Sequence, residues 1–188
     1  MGRIVVSQFV SLDGVIEDPI GIEDLGRGAW TSQSSGEEGG RFVVEQLLGS
    51  EAMLLGRRTY EGYVAAWPSR GGEYADKINS MPKYVVSSTL AEPDWANTTV
   101  IGGDAATAVA ELKQEVEGDV LVHGSAQLTH GLMEHDLVDE WHLMVFPVVV
   151  GAGKRCFGDP GRAVALQLQA TRALGAEGIV LLSYERSA

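Results

Sequence analysis

"DVLVHGSAQLTHGLMEHDLVDEWHLMVFPVVVG" (residues 119–151) reads as strand, helix, strand. The apolar run Val120–Val122 stops at His123-Gly124-Ser125-Ala126, where small residues open a helical pattern. That helix is expected over 125–137 despite Gly131, followed by a long strand over 138–151 that bends at Pro147. A strand, a crossover helix and a second strand make a parallel unit. The turn at 123–126 raises a question. A strand ending in small residues at a helix start often holds an anion. A tight helix–sheet contact would need the same small residues.

Upstream, the same alternation repeats. "RIVVSQFV" (3–10) and "EAMLLG" (51–56) read as strands, as do "KYVVSS" (83–88), opened by Pro82, and "TTVI" (98–101). Between them, "EEGGRFVVEQLL" (37–48), "RRTYEGYVAAW" (57–67) and a short segment after Gly71-Gly72 have helical spacing. "DAATAVAELKQEVEG" (104–118) is the clearest helix, started by Asp104 and ended by Gly118. Downstream the pattern changes. "AVALQLQATRAL" (163–174) and "GIVLLSYER" (178–186) alternate as an antiparallel hairpin. The expectation is one α/β domain over 1–188, with a mainly parallel sheet, an antiparallel C-terminal edge and helices on both faces. The polar stretch before Gly40 is expected to be mobile at its centre, residues 32–36.

Composition narrows the function. The 188 residues carry a net charge of −12, which leaves no electrostatic footprint for nucleic acid. A local phosphate site remains compatible with that charge, because a few arginines and backbone N–H groups suffice. No apolar run approaches a membrane span, and Arg3 is followed at once by a strand-like run. Cys156 is the single cysteine and cannot form an internal disulfide, so a cytoplasmic setting is expected. His123, His130, His135 and His142 lack metal-ligand spacing, and no metal is expected.

In open α/β sheets the residues just after each strand carry the ligand chemistry. Three strand ends stand out. Gly56-Arg57-Arg58-Thr59 joins a glycine, two forked cations and a helix start, a combination suited to phosphate. A surface arginine pair beside a capping threonine would read the same. Ser87-Ser88-Thr89 places three hydroxyls at a strand end, equally compatible with a solvated turn. Gly124-Ser125-Ala126-Gln127-Leu128 is the turn quoted at the outset; it is not a GxGxxG fingerprint.

Taken in order, "SLDGVIE", "LLGRRTYE", "VVSSTL", "VLVHGSAQL" and "DEWHLMVFPVVVGAGKRCF" resemble the dihydrofolate reductase superfamily. The likeness is closest to the branch containing the reductase domain of bifunctional riboflavin-biosynthesis enzymes, and it runs from about residue 3 to 185. It implies a sheet of about eight strands and NADPH as hydride donor. It places Gly56, Arg57, Arg58 and Thr59 around the adenosine 2′-phosphate and diphosphate. Ser87, Ser88 and Thr89 fall at the adenosine side, and Gly124, Ser125, Ala126, Gln127 and Leu128 at the diphosphate. There the family's Gly-Gly pair has become Gly124-Ser125. Phe9 and Ile16 match positions whose backbone lies by the nicotinamide.

On the substrate side the match departs. Counting five residues from Trp30 reaches Ser35 rather than the carboxylate that binds the pteridine in dihydrofolate reductases; Glu37 and Glu38 lie close. Asp13 matches the S-x-D-G segment of the riboflavin branch, which implies a substrate or proton-handling role, although Asp-Gly is itself a turn dipeptide. Trp30, Tyr63, Trp67 and Phe146 are candidates for an apolar pocket wall, or for core. Glu140 and Trp141 begin the strand that borders the pocket in the family. "GAGKRCF" (151–157) reads as a turn, and the apolar strand before it as part of a homodimer contact. The expected activity is hydride transfer to a planar C=N or C=O small molecule bordered by Asp13, Trp30 and Phe146. Two rivals are a non-catalytic nucleotide-binding or ligand-sensing module on the same fold and a weak dihydrofolate reductase.

Overall fold

The computed structural model describes residues 1–21, 29–31, 36–158 and 162–187. Eight strands form one sheet: β1 (Arg3–Ser11), β2 (Ser50–Gly56), β3 (Lys83–Val86), β4 (Thr98–Ile101), β5 (Asp119–His123), β6 (Glu140–Phe146), β7 (Leu166–Leu174) and β8 (Ile179–Arg186). Their spatial order is β4-β3-β2-β5-β1-β6-β8-β7. The first six run parallel, and β8 and β7 add an antiparallel edge. Five helices connect them: α1 (Gly36–Gly49), α2 (Arg57–Ala66), α3 (Glu73–Ser80), α4 (Ala105–Glu115) and α5 (Ala126–Glu134).

The helices divide between the two faces because the strand alternation demands it. Ile4, Val6, Leu54, Val120 and Val122 pack on Val109 and Leu112 of α4 and on Leu132 of α5. The intervening Val5, Met53, Leu55 and Leu121 face Leu47 of α1, Tyr60 of α2 and Ile78 of α3. Central strands therefore bury both faces, which is why "AMLL" shows no polar alternation. Each such side chain contributes about 1.5–3 kcal/mol of transfer free energy. A third cluster, built from Met144, Phe146, Leu174, Ile179 and Leu181, holds the hairpin to the sheet.

Several boundaries differ from the sequence expectation, among them the end of α5 at Glu134 and of β3 at Val86, and two have a clear physical reason. β6 stops at Phe146 rather than bending at Pro147. Proline lacks the N–H that would continue the ladder, Val148 N–H turns back to the Phe146 carbonyl, and the Val148 carbonyl accepts from Leu12 N–H. Helix α4 ends at Glu115, with Val116 already extended and Gly118 at φ +110°, so the glycine serves the next turn. Residues 32–35, expected to be mobile, lie outside the described residues. No helix among the described residues is long and apolar enough to cross a membrane.

Candidate active site

The carboxyl ends of β4, β3, β2 and β5, together with β1, open onto one cleft of about 1600 Å³. Five strands at a spacing of about 4.8 Å make it roughly 19 Å long. All the residues of the three strand-end motifs line it.

At its centre, two helix N-termini are tied by one hydroxyl. Gly56 caps α2 and Ser125 caps α5, and neither helix has a side-chain cap. Ser125 Oγ instead accepts from Gly56 N–H at 2.9 Å and donates to Thr59 Oγ1 at 2.9 Å. This leaves helix N–H groups of both elements without side-chain acceptors, which favours an anion. Both Gly124 and Ser125 have φ near +57°. For serine this left-handed conformation costs about 1–2 kcal/mol, and its two hydrogen bonds offset that cost. The Gly124 carbonyl is pinned by Gln8 Nε2 at 2.5 Å. A Cβ on Gly124 would lie 3.3 Å from Thr59 Oγ1, and one on Gly56 would lie 3.2 Å from Ser125 Oγ. The turn is thus a close-packed cradle: the tight contact between α2 and α5 sets the N-termini of both helices on one cleft.

Toward β4 the cleft wall becomes polar. Arg57 and Arg58 are both exposed; Arg57 pairs with Glu61 at 3.0 Å, and Arg58 has no partner among the described residues. Ser87 Oγ accepts from the N–H groups of Thr89 and Leu90, which shapes the turn and leaves its O–H free to donate. Asp104 caps α4 through Ala106 and Thr107, and the Thr107 hydroxyl holds its carboxyl below the usual range.

Toward β1 the wall is formed by Ser7, Gln8, Phe9 and Ile16, with Gly40 and Val43 from α1, Tyr63 from α2, and Trp67 just beyond it. Tyr63 Oη lies 2.9 Å from His123 Nδ1. Ser7 Oγ donates to Gln46 Oε1 at 2.7 Å. Gln46 continues to His142, and His142 to Glu140 at 2.5 Å, so β1, α1 and β6 are fastened beneath the cleft.

Three of the residues expected at the substrate are elsewhere. Asp13 does not line the cleft. Its carboxylate accepts from Ser11 Oγ at 2.7 Å, Val150 N–H at 3.0 Å and Gly151 N–H at 2.9 Å. Those bonds, the Ser11 hydroxyl first, bring its pKa down to about 2. A carboxylate aimed at turn N–H groups is committed to the turn, and the Arg155 guanidinium holds the Asp13 carbonyl as well. Trp30 and Phe146 stand behind the wall. Trp30 Nε1 donates to the Glu17 carbonyl at 2.9 Å, and its ring meets Phe146 edge-on, which in turn meets Phe9 edge-on. They set the position of Phe9, which does face the cleft. Glu37 pairs with Arg41 at 2.9 Å, and neither it nor Glu38 lines the cleft. Cys156 is buried, which pushes its thiol up to about 12 and leaves it unreactive.

Sequence reasoning passed over Ser7, Gln8 and His123 as site residues. The available signal was polar side chains interrupting otherwise apolar strands near their carboxyl ends. Among the described residues no group of three or more His, Cys, Asp or Glu is placed to hold a metal ion.

The sheet order, the antiparallel hairpin and the cleft across the strand ends define a dihydrofolate reductase-like α/β fold. The chain belongs to the RibD C-terminal domain family, whose model matches residues 3–181. It is 30% identical over 174 residues to the protein YwjB of Bacillus subtilis, covering 92% of each chain. Among solved structures, a protein of Shewanella sp. PV-4 assigned to riboflavin biosynthesis is similar with a TM-score of 0.77 at 20% identity, covering 99% of both chains. The diaminohydroxyphosphoribosylaminopyrimidine deaminase/5-amino-6-(5-phosphoribosylamino)uracil reductase of Thermotoga maritima is similar with a TM-score of 0.68 at 14% identity. There the match covers 99% of this chain and 57% of the other. Dihydrofolate reductase of Enterococcus faecalis, solved with NADP(H), is similar with a TM-score of 0.59 at 14% identity, over 99% and 97% of the two chains.

Proposed function

We propose that the protein is an NADPH-dependent reductase that acts on a small planar heterocyclic or carbonyl compound. The observation that carries this is the cradle at Gly56, Gly124 and Ser125. There two helix N-termini without side-chain caps meet a backbone that no Cβ could approach freely, and the Arg58 guanidinium, without a partner among the described residues, lies on the same cleft. The residues present fit a dinucleotide phosphate. The cradle offers N–H donors to a diphosphate, and Arg58 and the hydroxyls of Ser88 and Thr89 offer donors to a further phosphate. Family membership and the reductase named for the Thermotoga neighbour support the same reading.

When bound, the dihydronicotinamide supplies the hydride. The chain binds the phosphates, sets Phe9 and Ile16 against the ring end and bounds the adjoining space with Tyr63, Trp67 and Val43. The test is calorimetric titration with NADPH and NADH, followed by NADPH consumption on a panel of pteridines, aminopyrimidines and small carbonyls. Tight NADPH binding with turnover of one panel class is expected. Binding without turnover on any class would favour a ligand-sensing module.

The same reading includes a homodimer. Leu12 and Val149 are 64% and 69% exposed on segments joined by the Leu12–Val148 hydrogen bond, next to the apolar strand β6. Burying such side chains in a two-fold contact is the common solution. Light scattering should give about twice the 20.0 kDa chain mass.

A further inference from the structure

We propose that Tyr63 and His123 form the substrate-orienting pair of the cleft: His123 presents its Nε2–H to a neutral acceptor, a ring carbonyl oxygen or an unprotonated ring nitrogen, on the planar molecule that is reduced. This deepens the reductase reading and rests on it for the word "reduced".

Position comes first. On β5, Leu121 and His123 share a face by the two-residue period. Leu121 fills the core against α1 to α3, and His123 emerges two residues on, level with Ser7 of β1. It is 9% exposed, and it lines the cleft together with Ser7 and Tyr63. The Tyr63 ring packs edge-on against the His123, Trp67 and Trp95 rings, so the phenol is fixed by apolar contacts.

Chemistry then sets the direction of the bond. A phenol is the stronger donor and an imidazole nitrogen the stronger acceptor, so Tyr63 donates its proton to Nδ1. The remaining proton of the neutral ring sits on Nε2. No protein atom among the described residues accepts from Nε2. Among the described residues Thr98 Oγ1 is the buried side-chain polar atom without a partner, so Nε2 opens onto the cleft, where a bound ligand atom can take the place of water as its acceptor.

Both groups stay uncharged in the working range. Burial brings His123 down to about 4 and pushes Tyr63 well above 10. The pair is therefore a neutral donor. It is not the proton source, because passing a proton through it would leave a buried tyrosinate, which the same burial disfavours. The proton that matches the hydride must come from outside the pair, from water in the open cleft or through Glu17 or Asp18, which line it. The α1 segment beside the pair offers Gly40 and Val43 and no carboxylate. A protonated diaminopyrimidine finds no counter-charge at this pair, whereas a ring carbonyl finds an N–H.

The test uses lumazine (pteridine-2,4-dione) as acceptor-rich probe and 2,4-diaminopteridine as its donor-rich counterpart. Each is titrated into the full-length protein with and without saturating NADP⁺. Histidine ¹⁵N spectra report the tautomer directly. The expected result is an Nε2-protonated His123 at neutral pH whose Nε2 resonance moves on adding lumazine. Lumazine should bind at least tenfold tighter than the diamino compound. His123→Phe should weaken lumazine at least tenfold and leave NADP⁺ affinity within twofold. His123→Gln, which keeps an N–H donor, should recover part of the loss, and Tyr63→Phe should weaken lumazine by less than His123→Phe.

An Nδ1-protonated ring, equal lumazine affinity in His123→Phe, or stronger binding of the diamino compound overturns the proposal. Should His123→Phe lose its cooperative thermal transition, the tautomer and the resonance shift in the native protein still decide. Failure of NADPH to bind overturns the reductase reading instead, since the lumazine contact at His123 is read in the protein alone.

Discussion

Along the cleft from β4 to β1, the material of the wall changes at β5. On one side lie the backbone of Gly56 and Gly124, the hydroxyls of Ser87 to Thr89 and Ser125, and the guanidinium of Arg58. On the other lie whole side chains gathered from separate elements: Ser7 and Phe9 from β1, Val43 from α1, Tyr63 from α2 and His123 from β5. The first half offers donors set by backbone conformation, which suits a ligand whose phosphates are always the same. The second half offers shape and a few placed polar atoms, which can be changed one side chain at a time. A fold that keeps a cofactor and varies a substrate would be divided this way.

The comparison breaks most sharply at Gly124. A valine there must adopt φ +56° and meets Thr59 Oγ1 at the distance of a close contact. Gly124→Val should weaken NADPH by about 100-fold or more, from backbone strain together with the blocked approach. Circular dichroism should remain native, because the residue lies outside the core clusters. Unchanged NADPH affinity in a folded variant would remove the diphosphate from this turn.

The next effect in size separates the two arginines. Loss of a charged hydrogen bond to phosphate costs about 1.5–3 kcal/mol, roughly ten- to 150-fold. Arg58 has no partner among the described residues, whereas Arg57 must leave Glu61 to reach a ligand. Arg58→Ala should therefore cost more NADPH affinity than Arg57→Ala, and NADH affinity should stay nearly constant in both. Parallel losses for the two cofactors would show that neither guanidinium reads the 2′-phosphate.

These two predictions concern the half whose lining residues stand in contiguous sequence motifs, and the reason is physical. A strand end of the kind proposed to hold phosphate is local: a glycine and a helix start must be consecutive, so the motif is contiguous, as in Gly56–Thr59 and Gly124–Leu128. The strand and helix order was readable for a similar reason, since β-branched runs and helical spacing are local too. The substrate half depends on register. Ser7 and His123 meet only because β1 and β5 pair as they do, and Tyr63 arrives from 60 positions away. Asp13 is ambiguous in the sequence because an Asp-Gly dipeptide looks the same at a turn and at a pocket mouth. What separates the two is where residues 150 and 151 lie, and that is fixed by tertiary structure.

Asp13→Asn sharpens that point with a smaller effect. If the carboxylate serves the turn, the variant should bind NADPH normally, turn over substrate within about twofold of the parent, and melt a few degrees lower. The pH dependence has a defined sign. The folded-state pKa of about 2 lies below the ordinary value of 3.8, so the stabilisation is complete above about pH 4 and is lost as pH falls toward 2. The melting difference between parent and variant should close over that interval. A tenfold fall in turnover at unchanged melting temperature would instead return Asp13 to a role in the chemistry.

The smallest expected effect is at the start of α1. In a dihydrofolate-type site a carboxylate there holds the ring, and its titration shapes the rate profile. Here Glu37 is engaged with Arg41, Glu38 is exposed, and α1 presents Gly40 and Val43 to the cleft. Glu37→Gln and Glu38→Gln should each leave kcat and KM within about twofold of the parent. The pH profile should keep its shape, because neither carboxylate lines the cleft and so neither should exchange a proton with a bound ring. The change in net charge is one unit on a chain already at −12, so cofactor binding should not respond either. A large loss in Glu38→Gln, with an acid limb vanishing from the rate profile, would mean that α1 closes over the substrate and brings its acid into the cleft. The site would then be of the dihydrofolate type, and the neutral His123–Tyr63 pair would lose its place as the feature that orients the ring.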